Sequence, residues 1–421
     1  MIYNLSQYNI HWKTKRLNQL GVFSRGKSKH RPRDDYRLFI NGKYPLIQTS
    51  DIKKANLYVT SHVQEYNEFG LQQSKLWNKG TLCITIAANI ADTAIISYPM
   101  CFPDSVVGFL ANKNESSELF MHYIFKYIQN NIKKTVRGSI QDNININYLE
   151  QLYFKIPEKA YQNKIVLILS SIDKKIELNN KINTELEAMA KTIYDYWFLQ
   201  FEFPNEEGKP YKSSGGKMVW NEELKREIPE GWEVRTLENL GNLIMGQSPK
   251  STSYNNKKEG LPLINGAAEL QKDKIEVTKY TSEPTRICKE KDLIFCIRAT
   301  IGNINYADKS YCLGRGVGAF RVTEKEYVEY MFLTLRNILN MYNKILTGSI
   351  IVGITKEDLL QQNIVKPKND VITQFYNKVH FMAEKMKSIK KENQELTALR
   401  DFLLPLLMNG QVGFKEDKAE G

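Results

Sequence analysis

The most obvious chemical spacing in the chain lies near its N-terminus. There Gly21-Val-Phe-Ser-Arg-Gly26-Lys27-Ser28 fits the G-x-x-x-x-G-K-[ST] pattern of a phosphate-binding loop. That chemistry needs a buried strand before the loop and a helix after it, so that backbone N–H groups face the phosphates. The residues before Gly21 are polar instead, and Pro32 falls where the interior of that helix should run. Other catalytic patterns fail sooner. Methyl transfer to an exocyclic base nitrogen would use an Asn/Asp-Pro-Pro-Tyr/Phe loop, and none of the 13 prolines are adjacent. A metal-dependent nuclease would follow Pro103-Asp104 with a nearby Asp-x-Lys, but the next such triplet, Asp173-Lys-Lys175, belongs to a helical stretch. His11, His30, His62, His122 and His380 show neither ligand nor triad spacing, and no active site is expected.

What remains is chemistry for binding. Arg25-Gly-Lys27-Ser28-Lys29-His30-Arg31-Pro-Arg33 puts five Lys and Arg side chains into nine residues of a Gly/Pro loop, which suits phosphate contact. A merely solvated loop is the alternative. Arg298 and Thr300 follow a strand-like run where an earlier, similar run has Ala87 and Asn89. Arginine reads guanine and asparagine reads adenine, so the two places would select different bases. Alternatively, Arg298 pairs with a carboxylate.

Behind these residues stands an internal duplication. Trp12-Lys-Thr-Lys-Arg-Leu17-Asn-Gln-Leu20-Gly21 matches Trp232-Glu-Val-Arg-Thr-Leu237-Glu-Asn-Leu240-Gly241, an offset of 220, which also places Gly26 and Ser28 on Gly246 and Ser248. Pro45-Leu46-Ile47 recurs as Pro262-Leu263-Ile264 at an offset of 217. The run 82–90 falls on 293–301 at 211, Gly138-Ser139-Ile140 on Gly348-Ser349-Ile350 at 210, and Pro157 on Pro367. Five blocks in one order, with a slowly falling offset, describe two copies of one fold with unequal loops. The second copy keeps the two glycines and the serine of the phosphate-loop pattern but carries Gln247 where the first has Lys27. The shared feature is a turn.

Each copy opens with alternating β-branched and aromatic runs broken by Gly, Asn, Asp and Ser, which predicts a strand-rich mixed domain. Residues 119–133 and 327–345 read as a helix within it. A heptad follows. One set of core positions holds Ile165, Ile172, Asn179, Leu186 and Ile193, and the other holds Leu169, Ile176, Asn183, Ala190 and Trp197. The same frame 210 residues later holds Phe375, Met382, Ile389, Leu396 and Leu403, then Val379, Met386, Asn393, Arg400 and Leu407. Neither Pro nor Gly interrupts 161–203, so a helix of about 38 residues would run ~57 Å. Neither stripe can be buried alone, and an antiparallel pair related by a pseudo-two-fold is the simplest solution. Asn179, Asn183 and Asn393 then either fix register from inside or face outward where the heptad slips. The Gly-, Pro- and Ser-rich 203–217 reads as a surface connector rather than an element.

Composition agrees with this picture. With 421 residues, two domains of ordinary size are expected. A net charge of +12 favours a polyanionic partner. Five cysteines without C-x-x-C spacing read as reduced, mostly buried thiols. No apolar run approaches the ~18 residues of a membrane span, so a soluble, cytoplasmic protein is expected.

The duplicated plan of variable domain and long helix resembles the specificity subunit of type I restriction–modification systems. The resemblance covers nearly the whole chain. Its most specific residues are Tyr196-Trp197-Phe198 through Phe201-Glu-Phe203-Pro204, Gly208-Lys-Pro210-Tyr211-Lys-Ser-Ser-Gly-Gly216 and Ile228-Pro-Glu-Gly231-Trp232. The Gly-Ser-Ile turns at 138 and 348 and the ending Leu403-Leu-Pro405-Leu-Leu-Met-Asn-Gly410 also fit. The first copy departs by opening with Asn9-Ile-His-Trp12 in place of the Ile-Pro-x-Gly-Trp of the second.

The expected fold is α+β. Target-recognition domains at 1–157 and 232–367 are each followed by a long helix, at 158–202 and 368–410, with a linker at 203–231 and a tail at 411–421. The resemblance implies that each domain reads one half of a bipartite double-stranded DNA site. The helices would set the gap and dock two modification (methyltransferase) subunits, with restriction/motor subunits joining. S-adenosylmethionine, ATP and Mg²⁺ would sit on those partners and none on this chain. The candidate DNA contacts are Arg25, Lys27, Ser28, Lys29, Arg31, Arg33, Gln48, Thr49 and Asn89 in the first copy. In the second they are Gln247, Ser248, Lys250, Asn265, Arg298, Thr300 and Arg315. The candidate helix contacts are Ile172, Ile176, Asn179, Asn183, Leu186, Ile193, Met382, Ile389, Asn393, Leu396 and Leu403. A related system whose partner fuses nuclease and methyltransferase, a coiled-coil scaffold without base readout, and a nucleotide hydrolase are the competing readings.

Overall fold

The run Leu82-Cys83-Ile84 is apolar without alternation, and strand Leu82–Thr85 is buried throughout. Leu82 and Ile84 join one core beneath helix Glu118–Arg137, while Cys83 joins another with Ile47, Trp77 and Phe102. A strand covered on both faces gives a continuous apolar run. The repeat does the same. In strand Leu293–Cys296, Leu293 and Phe295 enter one core, and Ile294 and Cys296 enter another.

The computed structural model describes residues 2–87, 90–137, 144, 146–271, 274–298, 301–346 and 353–414. The fold is α+β, mixed sheets combined with long helices. It divides into two units, Met1–Lys181 with Ile389–Gly421, and Ile182–Ser388. Each unit therefore takes a segment from both long helices.

In the first unit a five-stranded sheet has the order Gly21–Arg25, Val106–Ala111, Leu82–Thr85, Thr93–Ile96, Tyr58–Val59. All neighbours are antiparallel except the last pair. A second sheet has the order Gln64–Tyr66, Tyr44–Leu46, Met100–Cys101, Leu76–Trp77. Helix Glu118–Arg137 starts where Ser117 Oγ accepts from the Phe120 N–H at 3.2 Å, and it buries Phe120, Ile124 and Ile128 against the first sheet. The second unit repeats this plan. Gly241–Met245, Val317–Val322, Leu293–Cys296 and Ile304–Tyr306 form one sheet beneath helix Val328–Leu346.

The long helices are Lys159–Tyr194, continued by a π turn at Asp195–Leu199, and Asn369–Met408. The first stops short of the expected 202, because Phe201 adopts a φ of 64° and turns the chain into the second core. In the first unit Ile165 and Leu169 share a core with Leu404 and Leu407, Asp173 meets Arg400, and Asn179 meets Asn393. Numbers rise along one helix as they fall along the other, so these segments run antiparallel. Asn179 is 1% exposed and donates to Glu392 (2.8 Å) and Asn393 (2.9 Å), while Asn393 donates to Asn180 (2.8 Å). Of the two readings of these asparagines, Asn179 takes the inward one.

Between 203 and 217 the chain forms no helix or strand, as a connector should, and holds one bridge pair, Pro204 with Pro210. Met218–Asn221 and Arg226–Pro229 pair as an antiparallel hairpin, so the segment beyond the Gly/Ser stretch is an element. Phe203 stacks on Tyr211 and Trp232 at 4.5 and 4.8 Å and is buried with Ile228. Gly216 is required there, since a Cβ would stand 2.4 Å from the Tyr211 ring. The connector's glycines and prolines encode tight turns around aromatic anchors.

Candidate nucleic-acid interface

The second unit shows how separate loops converge. Strand Gly241–Met245 ends at Gly246, whose N–H donates to the Val317 carbonyl at 3.0 Å, and the Gln247 N–H donates to Leu313 at 2.9 Å. A Cβ on Gly246 would lie 2.1 Å from the Gly314 carbonyl, so only glycine admits this approach. The Asn265 turn closes in from another side. Gly314 N–H donates to Ile264, Gly316 N–H donates to Asn265, and Glu269 accepts from the N–H groups of Asn265 and Gly266. The Asn265 amide lies over Gly314 where a side chain would otherwise stand. Ile297 N–H donates to Gly316 at 3.0 Å, which brings the neighbouring Arg298 to the same edge.

Gln247, Ser248, Asn265, Arg298 and Arg315 thus meet from four chain segments. Gln247, Arg298 and Arg315 are exposed, and Ser248 Oγ accepts from the Arg315 N–H at 3.4 Å. Among the described residues no carboxylate pairs with Arg298 or Arg315, so the structure does not place Arg298 in an ion pair. Lys250 is exposed at the foot of this loop.

The first unit repeats the backbone and changes the side chains. Gly26 N–H donates to Val106 at 2.8 Å, Lys27 N–H to Phe102 at 3.0 Å, and Ile86 N–H to Ser105 at 3.0 Å. The turn Phe102-Pro103-Asp104-Ser105 therefore stands where Leu313-Gly314-Arg315-Gly316 stands in the second unit. Arg25, Lys27, Lys29, Arg31 and Arg33 are exposed. Arg25 Nε donates to the Asp104 carbonyl at 2.6 Å, and Arg33 and Arg31 approach the Asp104 carboxylate at 2.8 and 3.5 Å. The loop is held at its base by Gln73, which accepts from the N–H groups of Lys29 and His30. It is also held by Asp35, which meets His30 at 2.7 Å. Hydrogen bonds from Arg37 and His30 keep the Asp35 carboxyl well below the usual carboxylate range.

Not every expected contact stands at the surface. Ser28 is 8% exposed, and its carbonyl accepts from Arg31 at 2.6 Å, so it braces the loop from inside. Gln48 and Thr49 are half-buried at the start of helix Thr49–Lys54, with the Gln48 amide donating to Gln64 at 2.8 Å. Asn89 and Thr300, with the Gly-Ser-Ile turns, lie outside the described residues. The phosphate-loop pattern does not form its geometry. Gly21–Arg25 is a strand, and no helix follows Ser28 directly. Sequence reading passed over Asp104, noticed only as half of an accidental nuclease pattern, and the glycines at 266, 314 and 316. The repeat offset of 211 carries the signal for Asp104, since it falls on Arg315.

Along the long helices Ile172, Ile176, Asn179 and Ile389 are buried, while Leu186, Ile193, Met382, Asn393, Leu396 and Leu403 are half-buried. Asn183 is half-buried, and among the described residues its enclosed Oδ1 has no hydrogen-bond partner. All five cysteines are free and buried. Among the described residues no group of three or more His, Cys, Asp or Glu is placed to hold a metal ion, and no helix is long and apolar enough to cross a membrane.

Residues 9–188 and 229–398 match the family model described as the type I restriction modification DNA specificity domain. The chain is 29% identical over 311 residues to a putative type I restriction enzyme MjaX specificity subunit of Methanocaldococcus jannaschii, covering 72% of this chain and 70% of that one. It is 23% identical over 423 residues to the MjaIX specificity subunit of the same organism, covering 96% and 94%. The crystal structure of the type I restriction–modification S subunit from M. genitalium superposes with a TM-score of 0.59 at 18% identity, over 97% of this chain and 99% of that one. Two family matches on two copies of one fold make this chain a member of the type I restriction–modification specificity subunits, a non-catalytic recognition component.

Proposed function

We propose that each unit reads one half of a bipartite double-stranded DNA target. The observation that carries this is the shared edge. In both units a glycine-initiated loop, a β-turn and the end of a central strand converge through the same backbone hydrogen bonds, and they present different exposed polar side chains. Gln247, Asn265, Arg298 and Arg315 have the donor and acceptor sets that recognise base edges. Arg25, Lys27, Lys29 and Lys250 supply the phosphate contacts that fix orientation.

The long helices set the gap between half-sites and dock two modification (methyltransferase) subunits, with restriction/motor subunits completing the complex. At 36 residues the first helix is roughly 54 Å long, enough to act as a ruler. S-adenosylmethionine, ATP and Mg²⁺ belong to those subunits, and the assembly works in the cytoplasm.

The test is a methylation-sensitive sequencing readout from cells carrying the chain with its modification subunit. Replacing residues 232–366 by the corresponding domain of another family member changes one half-site and leaves the other. A change in both halves refutes independent reading. Deleting residues 172–178 and the facing 394–400, which removes Asp173 together with Arg400, changes the gap alone, and an unchanged gap refutes the ruler.

A further inference from the structure

We infer that Asp104 is a specificity-determining positioning residue, which acts on DNA through the arginines it holds. This inference rests on the reading of the first unit as a half-site reader. Its basis is a charge inversion at one structural position. The turn 102–105 and the turn 313–316 make matching backbone bonds to their glycine loops, at Gly26 and Lys27 in one unit and at Gly246 and Gln247 in the other. They also make matching bonds to the central-strand ends, at Ile86 and Ile297. The second residue after the loop-accepting carbonyl is an acid in the first unit, Asp104, and a base in the second, Arg315.

The consequences differ in kind. Arg315 is exposed with no ion pair among the described residues, as a direct reader requires. Asp104 gathers three guanidinium groups. Its carbonyl accepts from Arg25 at 2.6 Å, and its carboxylate meets Arg33 at 2.8 Å and Arg31 at 3.5 Å. Arg31 is fixed further by the carbonyls of Ser28 (2.6 Å) and His30 (2.7 Å). The guanidinium groups of Arg31 and Arg33 stay more than half exposed. They are therefore held by one face and open on the other. A free arginine on a basic loop sweeps many orientations and finds any phosphate, whereas base recognition needs a fixed planar fork. Asp104 supplies that fixation and also removes one unit of positive charge from the loop, which lowers sequence-independent attraction.

The experiment uses the full chain with its modification subunit, comparing wild type, Asp104→Asn, Asp104→Glu, Arg33→Gln and Asp104→Asn in an Arg31→Gln/Arg33→Gln background. Base preference in each half-site is read from methylation patterns, and the salt dependence of binding is read on a duplex of random sequence. Asp104→Asn should relax at least one base position of the first half-site by about tenfold or more and leave the second half-site intact. It should also steepen the salt slope by about one. Arg33→Gln should relax the same position, and Asp104→Glu should restore part of the preference. In the double-arginine background Asp104→Asn should add nothing. The unchanged second half-site, read in the same molecules, reports that the chain is folded and assembled.

A first half-site and salt slope untouched by Asp104→Asn overturn the inference. So does a full additional loss in the double-arginine background, which would make Asp104 a direct base contact. A wild-type complex with no preference in a first half-site overturns the half-site reading and this inference with it.

Discussion

Helices Glu118–Arg137 and Val328–Leu346 occupy equivalent places in the repeat, yet different chemistry fastens each to the long helices of its own unit. In the first unit Asp173 is fully buried and accepts from Tyr123 (2.8 Å), Asn56 (3.2 Å) and Arg400 (2.8 Å), and Arg400 also donates to Asn56 at 3.0 Å. The equivalents of Asp173 and Arg400 in the second unit are Ala383 and Ala190, which carry no charge. There the joint is made by Tyr194 with Thr334 at 2.9 Å, by Arg336 with Glu187 at 2.5 Å, and by Phe198 and Phe375 edge to face at 4.8 Å. A further network joins Glu329 to Tyr306 and His380, where the first unit has Ile95 and Ser170 in place of Tyr306 and His380. Duplication preserved the apolar frame, and each copy then acquired its own polar joint. A buried polar group tolerates no half-built network, so such joints change as sets.

The sharpest way to break this comparison is to remove one partner from each joint. Asp173→Ala should cost about 3 kcal/mol, because it leaves Arg400 buried with only the exposed carboxylate of Asp401 beside it. Glu187→Ala, at a half-exposed pair, should cost about 1 kcal/mol or less. Asp173→Ala with Arg400→Ala, the pair of residues found in the second unit, should recover much of the loss. Calorimetric unfolding of the full chain measures all three, and equal costs at the two joints would erase the distinction.

Acid provides the next test. His122 is buried in helix Glu118–Arg137, and its Nδ1 meets Thr93 at 3.0 Å. Burial, with Lys126 beside it, pushes its pKa down to about 3. The unfolded chain binds a proton below about 6.5 that the folded chain refuses. This contribution to stability is therefore complete above that pH and lost as pH falls toward 3. The first unit should melt earlier at pH 4.5 than at pH 7.5, and His122→Phe should flatten that dependence. An unchanged pH profile in His122→Phe would remove His122 from the account.

At the DNA edge, Arg315→Ala should lose about 1–3 kcal/mol of discrimination at one base of the second half-site. The first half-site should be unaffected, as methylation mapping would report. Uniform weakening at every sequence would make Arg315 a phosphate contact instead. The smallest effect belongs to the asparagines. Asn179→Leu with Asn393→Leu should change stability by under about 1 kcal/mol, because the two amides leave together and their other partners, Glu392 and Asn180, reach solvent. A large destabilisation in thermal melts would show that this layer does more than set register.

Much of the fold was legible because it rests on periodicity. The heptad placed Ile165, Ile172, Ile176, Val379, Ile389 and Leu407 in cores where the structure buries them. The apolar runs at 82–84 and 293–297 marked the strands that divide two cores in each unit. Less of the interface was legible. The basic loop and the Gln247 loop stood out by composition, but their ordering groups lie far along the chain. Arg33 finds Asp104 71 residues away. That contact follows from Gly21–Arg25 lying beside Val106–Ala111, which no local spacing announces. The hairpin inside the 203–231 linker went unread, because glycine and proline mark turns equally well in open connectors and beside folded hairpins.

The sequence by itself determined the duplication, the α+β class, the helical frame and the absence of a phosphate loop from the one motif that imitated it. These depend on local residue order and on repetition, which one dimension records. Tertiary structure decided which cations are free and which are held, turning one basic loop into an arginine cluster organised by Asp104 while leaving Arg298 and Arg315 exposed. It also decided that Asn179 faces inward and that Arg400 is buried against Asp173. Those outcomes depend on distances between segments that meet only when strands and helices pair, and the energy of a charge is set by what lies within a few ångströms of it in space.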